Sequence, residues 1–290
     1  MSKKIINICY NNHYSGLSLD ADVIATVLES AGFTVYFNTN PIRLNGSSKL
    51  RKIWSKLVKA SLLILSCINI KLIVINIHLE LINEKNIRLA DKNIMIANLE
   101  WLREDSVSLL SKIDLFICKT KSAKDFFDRQ GLPAMYTSFS TVSPYDKKYI
   151  QKPNTFVHIA GTSREKGTIR LANLWLKHPE WPSLTMLVRT GENLKKFEAA
   201  NLKIISYFLE REDLKKIQNE SEIHLCPSEV GGFGHYICEP LSCGAIVLTV
   251  NGFPMNELIQ PDRGILIDVE RNESMSYSTK FIFDISDFER

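Results

Sequence analysis

Short apolar runs alternate with amphipathic segments along the whole chain. The run from Lys4 to Tyr10 is rich in β-branched residues and predicts a strand, and the apolar residues between Leu17 and Leu28 recur at helical spacing. Gly32 marks the end of that helix, and Phe33 to Phe37 predicts the next strand. A strand, a helix and a second strand in this order are typical of a parallel sheet with right-handed crossovers.

The same alternation continues to the end of the chain. Further apolar runs predict strands at Leu72–Ile77, Asn93–Ala97, Ile113–Cys118, Phe156–Ala160, Leu184–Val188, Lys203–Tyr207, His224–Cys226, Ala245–Thr249 and Gly264–Asp268. The stretch from Pro144 to Pro153 is rich in proline, lysine and other polar residues, as linkers are. The pattern therefore predicts an α/β protein with two Rossmann-like βα domains, residues 1–147 and 153–290, that face each other across a cleft.

Polar residues follow several predicted strands of the N-terminal domain. Because the carboxyl ends of parallel strands share one edge of a sheet, we expect these side chains to line one wall of a pocket. The residues in question are Asn12, Ser15, Gly16, His78, Glu80, Asn98 and Glu100. A single histidine or glutamate at such a place is more often a structural hydrogen-bonding group, but the set as a whole favours a site.

Two glycine-rich loops stand between a predicted strand and a predicted helix in the C-terminal domain. They are Gly161–Thr168 and Pro227–Gly234. Glycine lets the backbone approach a ligand closely, and the N-terminus of the following helix favours an anion such as a diphosphate. Glu239 lies about a turn and a half further along, where its carboxylate can accept hydrogen bonds from sugar hydroxyls. The alternative is an ordinary glycine-rich loop beside a solvated glutamate.

Two familiar phosphate-binding motifs do not fit these loops. A dinucleotide fingerprint that starts at Gly232 and Gly234 requires a third glycine at the position of Ile237. A Walker loop requires its glycine before the lysine, whereas Lys166 precedes Gly167 here. The sequence therefore favours neither an NAD enzyme nor a P-loop NTPase.

Composition and charge limit the partners, the compartment and the metal sites that we expect. The net charge of +4 over 290 residues is small, which argues against nucleic acid as a partner. The six cysteines form no CxxC pair, and the N-terminus lacks the apolar region of a signal peptide. We therefore expect a cytoplasmic protein. The sequence shows no aspartate pair on a strand end and no His/Cys cluster, so we expect no metal.

One basic segment and one apolar segment raise the question of a membrane. Lys49 to Lys59 carries five basic residues around an apolar stripe with Trp54, so Ser48–Ala60 predicts a basic amphipathic helix. Such a helix either docks peripherally on the inner face of an anionic membrane or packs its apolar face on the sheet. The apolar stretch from Ser61 to Glu80 is interrupted by polar residues and is too short to span a bilayer.

The motifs of the C-terminal half resemble those of nucleotide-sugar glycosyltransferases of the GT-B fold, near the retaining family 4 group. The resemblance is carried by His158-Ile159-Ala160-Gly161, Lys166-Gly167-Thr168, Pro227-Ser228, Gly232-Phe233-Gly234, Glu239, Gly244 and Pro254–Ile259. In the N-terminal half, Asn98–Trp101 and Cys118–Thr120 are similar to segments of a capsule- and virus-associated subgroup.

The resemblance implies roles for individual residues. Lys166 would neutralise the diphosphate of a UDP- or GDP-sugar, Arg164 or Ser163 would stand where the family has a partner arginine, and Glu239 would hold the ribose. The expected catalytic residues are His78, Lys166 and Glu239. The expected donor site comprises Gly161, Ser163, Arg164, Lys166, Thr168, Gly232, Phe233, Gly234, His235, Tyr236 and Glu239. The polar set of the N-terminal domain would take the acceptor, and neither a metal nor a further cofactor is implied.

The chain departs from the family pattern in two places. The first glutamate of the family's E-x7-E motif falls on Gly231, and the nearest acid, Glu229, lies two residues too early. Either Glu229 turns in from a lengthened loop, or the sugar is held differently, or the protein is a weak or inactive relative. Family members usually end in helices that return to the N-terminal domain, and we expect this chain to lack that brace.

Three functions are compatible with these observations. The first is a retaining, metal-independent hexosyltransferase that moves a sugar from a nucleoside diphosphate to a glycan or lipid-linked acceptor, in surface polysaccharide or lipopolysaccharide synthesis. The second is a catalytically weak or inactive relative that binds nucleotide sugars and acts as a scaffold. The third is a sugar-nucleotide epimerase or a phosphorylase with the same fold.

Overall fold

The computed structural model describes residues 4–11, 16–40, 60–61, 64–65, 71–80, 82–189, 194 and 197–290. The chain divides into two compact units, Met1–Phe139 and Ser140–Arg290. The basic segment Lys49–Lys59 lies outside the described residues, as do Asn12 and Ser15.

The N-terminal unit is built on a six-stranded sheet in which every neighbouring pair is parallel. Its strands are β1 Ile5–Asn11, β2 Thr34–Asn40, β3 Ile73–Leu79, β4 Ala90–Ile96, β5 Leu115–Cys118 and β6 Ala134–Tyr136. Its helices are α1 Gly16–Ser30, α2 Glu84–Ile87, α3 Val107–Leu110 and α4 Lys121–Arg129, and two 3₁₀ turns lie at Leu99–Trp101 and Glu104–Ser106. The strand order is β2-β1-β3-β4-β5-β6.

Helix α1 packs on one face of this sheet through residues spaced by four. Leu17, Ala21 and Ala25 are buried on the helix and contact a cluster that includes Ile6 and Ile8 of β1. This spacing is the one that places side chains on a single face of a helix. The apolar stripe read from the sequence is therefore the stripe that the fold buries.

The C-terminal unit repeats the architecture. Its strands are β7 Lys152–Gly161, β8 Leu184–Val188, β9 Leu202–Ile205, β10 Ser221–Cys226, β11 Ile246–Val250, β12 Gly264–Ile267, β13 Val269–Ser274 and β14 Thr279–Phe283. Its helices are α5 Thr168–Lys177, α6 Arg211–Glu220, α7 His235–Ser242, α8 Met255–Leu258 and α9 Ile285–Phe288. A parallel sheet has the order β12-β11-β10-β7-β8-β9, and β13 and β14 form a separate antiparallel hairpin.

The core of the C-terminal unit is centred on the tryptophan of α5. Trp175 is 2% exposed and its indole N–H donates to the carbonyl oxygen of Pro182 at 2.9 Å. Trp181 and Phe288 pack around it in edge-to-face contacts. A large aromatic side chain with its single donor satisfied is a stable core element.

The segment predicted as a linker packs on the C-terminal unit. The carboxylate of Asp146 lies 2.7 Å from the ammonium of Lys215, and the hydroxyl of Tyr149 donates to Glu212 at 2.7 Å. The compact units accordingly divide between Phe139 and Ser140, eight residues before the end predicted for the first domain. Hydrogen bonds to α6 outweigh the polar, proline-rich character that marks a linker in sequence.

The predicted fold class is confirmed: two Rossmann-like units, each with a parallel six-stranded sheet. In the part of the chain that the structure describes, no helix is both long enough and apolar enough to cross a bilayer.

Candidate functional site

The strand order of the C-terminal sheet reverses between β7 and β10. Strands β7, β8 and β9 run outward on one side, and β10, β11 and β12 on the other. In sheets of this kind, ligands bind beyond the carboxyl ends of the strands at the point of reversal. The segments that leave β7 and β10 there are the two glycine-rich loops, residues 161–167 and 227–234. The topology therefore brings together two loops that lie 60 residues apart in sequence.

Hydrogen bonds join the two loops directly. The carbonyl oxygen of Glu165 accepts from the backbone N–H of Glu229 at 3.0 Å and from the hydroxyl of Ser228 at 3.1 Å. Gly167 has a φ of +66°, and a Cβ at this position would lie 2.5 Å from the carbonyl oxygen of Pro227. A glycine is therefore required at this contact between the loops.

An ion-pair cluster joins the two loops to β14. The ammonium of Lys280, on β14, lies 2.6 Å from the carboxylate of Glu165 and 2.8 Å from that of Glu229. Burial alone would lower the pKa of Lys280, but its hydrogen bonds to the two carboxylates outweigh burial and raise that pKa. Burial raises the pKa of Glu229, and the bond from Lys280 offsets this only in part. The N–H of Phe281 also donates to the carbonyl oxygen of Glu229 at 2.7 Å.

Two helices begin at the loops, each after a glycine in the left-handed region. Gly167 precedes α5, and Gly234, with a φ of +109°, precedes α7. The first turn of a helix presents backbone N–H groups and the positive end of the helix dipole, which together favour an anion. The site thus offers two helix N-termini on one sheet edge.

Lys166 adds a positive charge beside the second helix. Its ammonium lies 3.1 Å from the centroid of the Tyr236 ring, and both side chains are half-buried. Arg164 of the same loop is exposed. Ser163 is half-buried, and its hydroxyl accepts from the N–H of Glu165 at 3.3 Å, which shapes the loop.

His158 is a buried residue of β7 that supports the site. It is 1% exposed, and its two ring nitrogens lie 2.8 Å from the carbonyl oxygen of Leu225 and 2.9 Å from the hydroxyl of Thr168. Burial lowers the pKa of His158 to about 4, so the ring is neutral at pH 7. The histidine therefore ties β7 to β10 and to the start of α5. Thr168 is itself buried, so its hydroxyl serves this support.

Glu239 is half-buried on α7, and Gln218 of α6 donates to its carboxylate at 2.8 Å. Burial raises its pKa, against the opposing effects of the His235 charge and the Gln218 hydrogen bond. His235 in turn lies 2.9 Å from the hydroxyl of Thr141. Phe233 is 4% exposed and contacts His235 edge to face, so its ring supports the loop by packing.

Gly231 leaves a space in the second loop. A Cβ built there would lie 3.7 Å from the hydroxyl of Tyr236 and 3.7 Å from the sulfur of Met255, which is ordinary contact. Gly232, beside it, is half-buried. The carboxylate of Glu229 is paired with the ammonium of Lys280 at 2.8 Å.

The N-terminal sheet reverses its order between β1 and β3. Glu80 follows β3 with a φ of +62°, which is unusual for a residue other than glycine and is often found at functional sites. Its carboxylate accepts from the side-chain N–H of Asn98 at 2.5 Å. The pKa of Glu80 is raised, chiefly by burial of its carboxyl group. The hydrogen bond from Asn98 and the charge of Lys119 lower this pKa, whereas the charge of Asp20 raises it. Glu100, in the 3₁₀ turn after β4, is half-buried, and Gly16 opens α1.

A buried ion pair adjoins Glu80. The ammonium of Lys119 lies 2.7 Å from the carboxylate of Asp20, and the two side chains are 2% and 3% exposed. Sequence reasoning missed Asp20, although it lies on the buried face of α1 with Leu17 and Ala21. Its 99-residue separation from Lys119 leaves no local signal for the pair.

His78 does not line the sheet edge. Its side chain is fully buried on the sheet, and its Nε2 lies 3.0 Å from the side-chain oxygen of Asn93. The prediction that His78 contacts a substrate is therefore corrected: it belongs to a buried polar network that includes Asn7, Asn76 and Asn93. Strand patterns do not predict this network, because asparagine is uncommon inside strands.

The N-terminal unit also contains a cavity of about 310 Å³ beside this network. Its polar lining includes Asn38, Asn83, Asn86, Arg103 and Asp105. The volume suits one sugar-sized ligand. Among the described residues, no group of three His, Cys, Asp or Glu side chains is arranged to hold a metal ion.

Residues 144–284 match the family described as "Glycosyl transferases group 1". The match lies within the C-terminal unit and contains both loops. A comparison with curated protein sequences gives no match.

The fold is similar to those of several solved structures. Sucrose-phosphate synthase from Thermosynechococcus elongatus has a TM-score of 0.65 at 13% identity, covering 93% of this chain and 87% of that one. A glycosyltransferase from Rickettsia africae has a TM-score of 0.65 at 11% identity, covering 93% and 86%. Anabaena HepE, solved in complex with UDP, has a TM-score of 0.63 at 14% identity, covering 91% and 85%. The fold is accordingly that of GT-B proteins.

Proposed function

We propose that this protein, whose C-terminal unit carries a group 1 glycosyltransferase domain, transfers a sugar from a UDP- or GDP-sugar to a glycan or lipid-linked acceptor. One observation carries the proposal. The two loops at the reversal point of the C-terminal sheet are hydrogen-bonded to each other, and each leads into a helix N-terminus beside Lys166. That combination of a cation and two helix N-termini fits a diphosphate.

The chemistry follows from where charge develops. When the bond between the sugar and the diphosphate breaks, negative charge grows on the leaving phosphate. Lys166 and the N-termini of α5 and α7 stabilise that charge without having to reorganise. For this reason the proposed transfer is metal-independent. The structure of HepE with UDP supports a nucleoside diphosphate as the group bound.

Glu239 is proposed to hold the ribose of the donor. Its carboxylate is half-buried on α7 and already accepts one hydrogen bond, from Gln218. A carboxylate has further lone pairs that can accept from sugar hydroxyls. The family resemblance supports the same role, a retaining outcome and a hexose as the transferred sugar.

The acceptor is proposed to bind at the N-terminal unit. Glu80 and Asn98 lie at the carboxyl ends of β3 and β4, next to the Lys119–Asp20 pair. Carboxylate and amide groups of this kind bind glycan hydroxyls. We further propose that the protein acts in surface polysaccharide or lipopolysaccharide synthesis. It would work at the inner face of a membrane, which it would contact through Lys49–Lys59.

The test is a binding and turnover screen with UDP, GDP and a panel of UDP- and GDP-sugars. Wild-type protein is expected to bind one of these nucleotides in calorimetry and to hydrolyse or transfer the matching sugar. Lys166→Ala is expected to weaken binding about 10- to 100-fold, because a charge-assisted hydrogen bond contributes about 1.5–3 kcal/mol. Lys203→Ala, at an exposed position of β9, is the matched control. If no nucleotide binds, or if Lys166→Ala binds like the wild type, the proposal fails.

A scaffold protein that binds nucleotide sugars without transfer is the second candidate. The observation in its favour is the glycine at position 231, together with the pairing of the nearest acid, Glu229, with Lys280. The space beside Gly231 accepts a Cβ in ordinary contact, so Gly231→Glu can be made without a clash at the backbone. Donor binding without turnover in the wild type, together with turnover in Gly231→Glu, would establish the scaffold. Turnover in the wild type would exclude it.

A further inference from the structure

The cavity of about 310 Å³ in the N-terminal unit stands at the point where the strand order of its sheet reverses. One lining residue, Asn11, is the last of β1, and further walls come from residues 82–86 after β3 and residues 103–109 after β4. Ligands of parallel sheets bind beyond the carboxyl ends of the strands at such a reversal. Glu80 and Asn98, proposed above for the acceptor, are not among the lining residues, so the cavity is a separate space.

The described residues that line the cavity carry no net charge at pH 7. The charged side chains among them are Arg103 and Asp105, whose guanidinium and carboxylate groups lie 2.7 Å apart. The hydrogen bond from Arg103 lowers the pKa of Asp105, so the carboxylate stays ionised and the two charges cancel. A charged ligand would have to break this pair before it could bind either partner. The lining therefore favours a neutral ligand.

Amide and hydroxyl groups give the wall its capacity for hydrogen bonds. They include those of Asn38, Asn83, Asn86 and Ser106. Asn86 is 8% exposed, and its side-chain oxygen accepts from Asn38 at 3.2 Å, whereas its amide nitrogen forms no hydrogen bond within the described part of the chain. An amide N–H in the wall of a cavity can donate to a ligand hydroxyl, and leaving it unbonded is unfavourable.

Apolar side chains complete the lining. Ile82 is buried and Leu109 is half-buried. A sugar ring carries hydroxyl groups around its rim and C–H groups on its faces, so it matches a wall that is partly polar and partly apolar. Ligand sites measure about 300–1,000 Å³, and a cavity at the lower end of that range suits a single ring.

The chain places this cavity next to the proposed acceptor site. Ile82 follows Glu80 by two residues, a separation that an extended chain spans in about 7 Å. We propose that the cavity binds one neutral sugar unit of the acceptor glycan, beside the unit that Glu80 and Asn98 contact. The acceptor is then a glycan of at least two units, with a neutral sugar next to its reacting end. This inference rests on the proposed function and defines the class of its acceptor.

The test is ligand-observed NMR of the full chain with the methyl glycosides of glucose, galactose, mannose and N-acetylglucosamine. Glucuronic acid and glucosamine are the charged counterparts. At least one neutral glycoside is expected to bind with a Kd of about 1–10 mM, as the ligand efficiency of about a dozen non-hydrogen atoms allows. The charged sugars are expected to bind about tenfold more weakly or not at all, because each would desolvate a charge without a partner.

Two tryptophan substitutions on α3 locate the binding. Leu109→Trp fills the cavity with a larger side chain and is expected to abolish binding of the neutral glycoside. Val107→Trp is the matched control, because Val107 lies on the same helix, is 41% exposed and is not among the lining residues. The control should bind the glycoside like the wild type.

Asp105→Asn tests the charge argument without filling the cavity. It leaves the guanidinium of Arg103 without its carboxylate, so glucuronic acid should bind about tenfold more tightly than it binds the wild type, through one charge-assisted pair. The two side chains are 63% and 64% exposed, so this variant keeps the fold even if Leu109→Trp does not.

Three results would overturn the inference. They are no binding of any neutral glycoside at about ten times the expected Kd, wild-type affinity in a folded Leu109→Trp, and an unchanged affinity of Asp105→Asn for glucuronic acid. Titration with UDP and GDP keeps the proposed function separate. Nucleotide binding without glycoside binding overturns the inference and leaves the proposed function standing. Glycoside binding without nucleotide binding refutes the proposed function and the acceptor role, while the sugar site stands.

Discussion

Replacing Gly167 with alanine tests whether the two loops must approach as closely as the structure shows. Gly167 combines a φ of +66° with a position where a Cβ would lie 2.5 Å from the carbonyl oxygen of Pro227. The partner is a backbone atom, so it cannot rotate away as a side-chain end could. The alanine must therefore push residues 161–167 away from residues 227–234.

The magnitude has two parts. An alanine in the left-handed region costs about 1–2 kcal/mol. Forcing an extra methyl group against packed atoms costs about 1–3 kcal/mol more. Gly167→Ala should therefore lower the free energy of unfolding by about 2–5 kcal/mol. Gly244→Ala is the matched control, since Gly244 has a φ of +76° and nothing within 4 Å of its Cβ position. Gly244→Ala should therefore lose only the about 1–2 kcal/mol that the left-handed backbone conformation costs an alanine.

The assay is urea denaturation of both variants, paired with calorimetric binding of UDP and GDP. We expect Gly167→Ala to be less stable than Gly244→Ala and also to bind the nucleotide more weakly, because its loops no longer converge. Gly244→Ala should keep wild-type affinity. Equal stability of the two variants, or unchanged nucleotide affinity in Gly167→Ala, would refute the reasoning.

Two further predictions concern the groups around these loops. Lys280→Met leaves the carboxylates of Glu165 and Glu229 without their cation and should cost about 1–3 kcal/mol at pH 7. Because the folded-state pKa of Glu229 is raised, its carboxylate is protonated in the folded protein at a higher pH than in the unfolded chain. The loss in unfolding free energy relative to the wild type should therefore shrink when urea denaturation is repeated at lower pH. A loss that stays constant with pH would contradict this. Burial lowers the pKa of both His158 and His224 from 6.5 to about 4. Between these two pH values the unfolded chain binds more protons than the folded protein, so the free energy of unfolding should fall as the pH drops from 6.5 to about 4. His158→Gln should remove about half of that pH dependence, and an unchanged slope would show that His158 does not titrate on unfolding.

The sequence predicts the βα elements well because their signals are local. The strand predicted at Phe156–Ala160 lies inside β7, and the strand at Leu184–Val188 is observed with those bounds. The two glycine loops were found because glycine between a strand and a helix has a specific conformational use. Their convergence could be expected once the parallel sheet was assumed.

The contacts that shape the site are harder to predict, because they join residues far apart in the chain. Lys280 stands 115 residues from Glu165, and the hairpin that carries it was not predicted. His78 shows the opposite error: its position after an apolar run suggested an exposed strand end, whereas β3 extends to Leu79 and buries it. A shift of two residues in the end of one strand decides between a site and a core position.

The most direct test of the central claim is amide hydrogen exchange of the whole chain with and without saturating UDP or GDP. If the two loops form one diphosphate site, the bound nucleotide will slow exchange in peptides from both 161–168 and 227–239. Nucleotide binding that slows exchange in neither loop, or only within residues 4–139, would contradict the account.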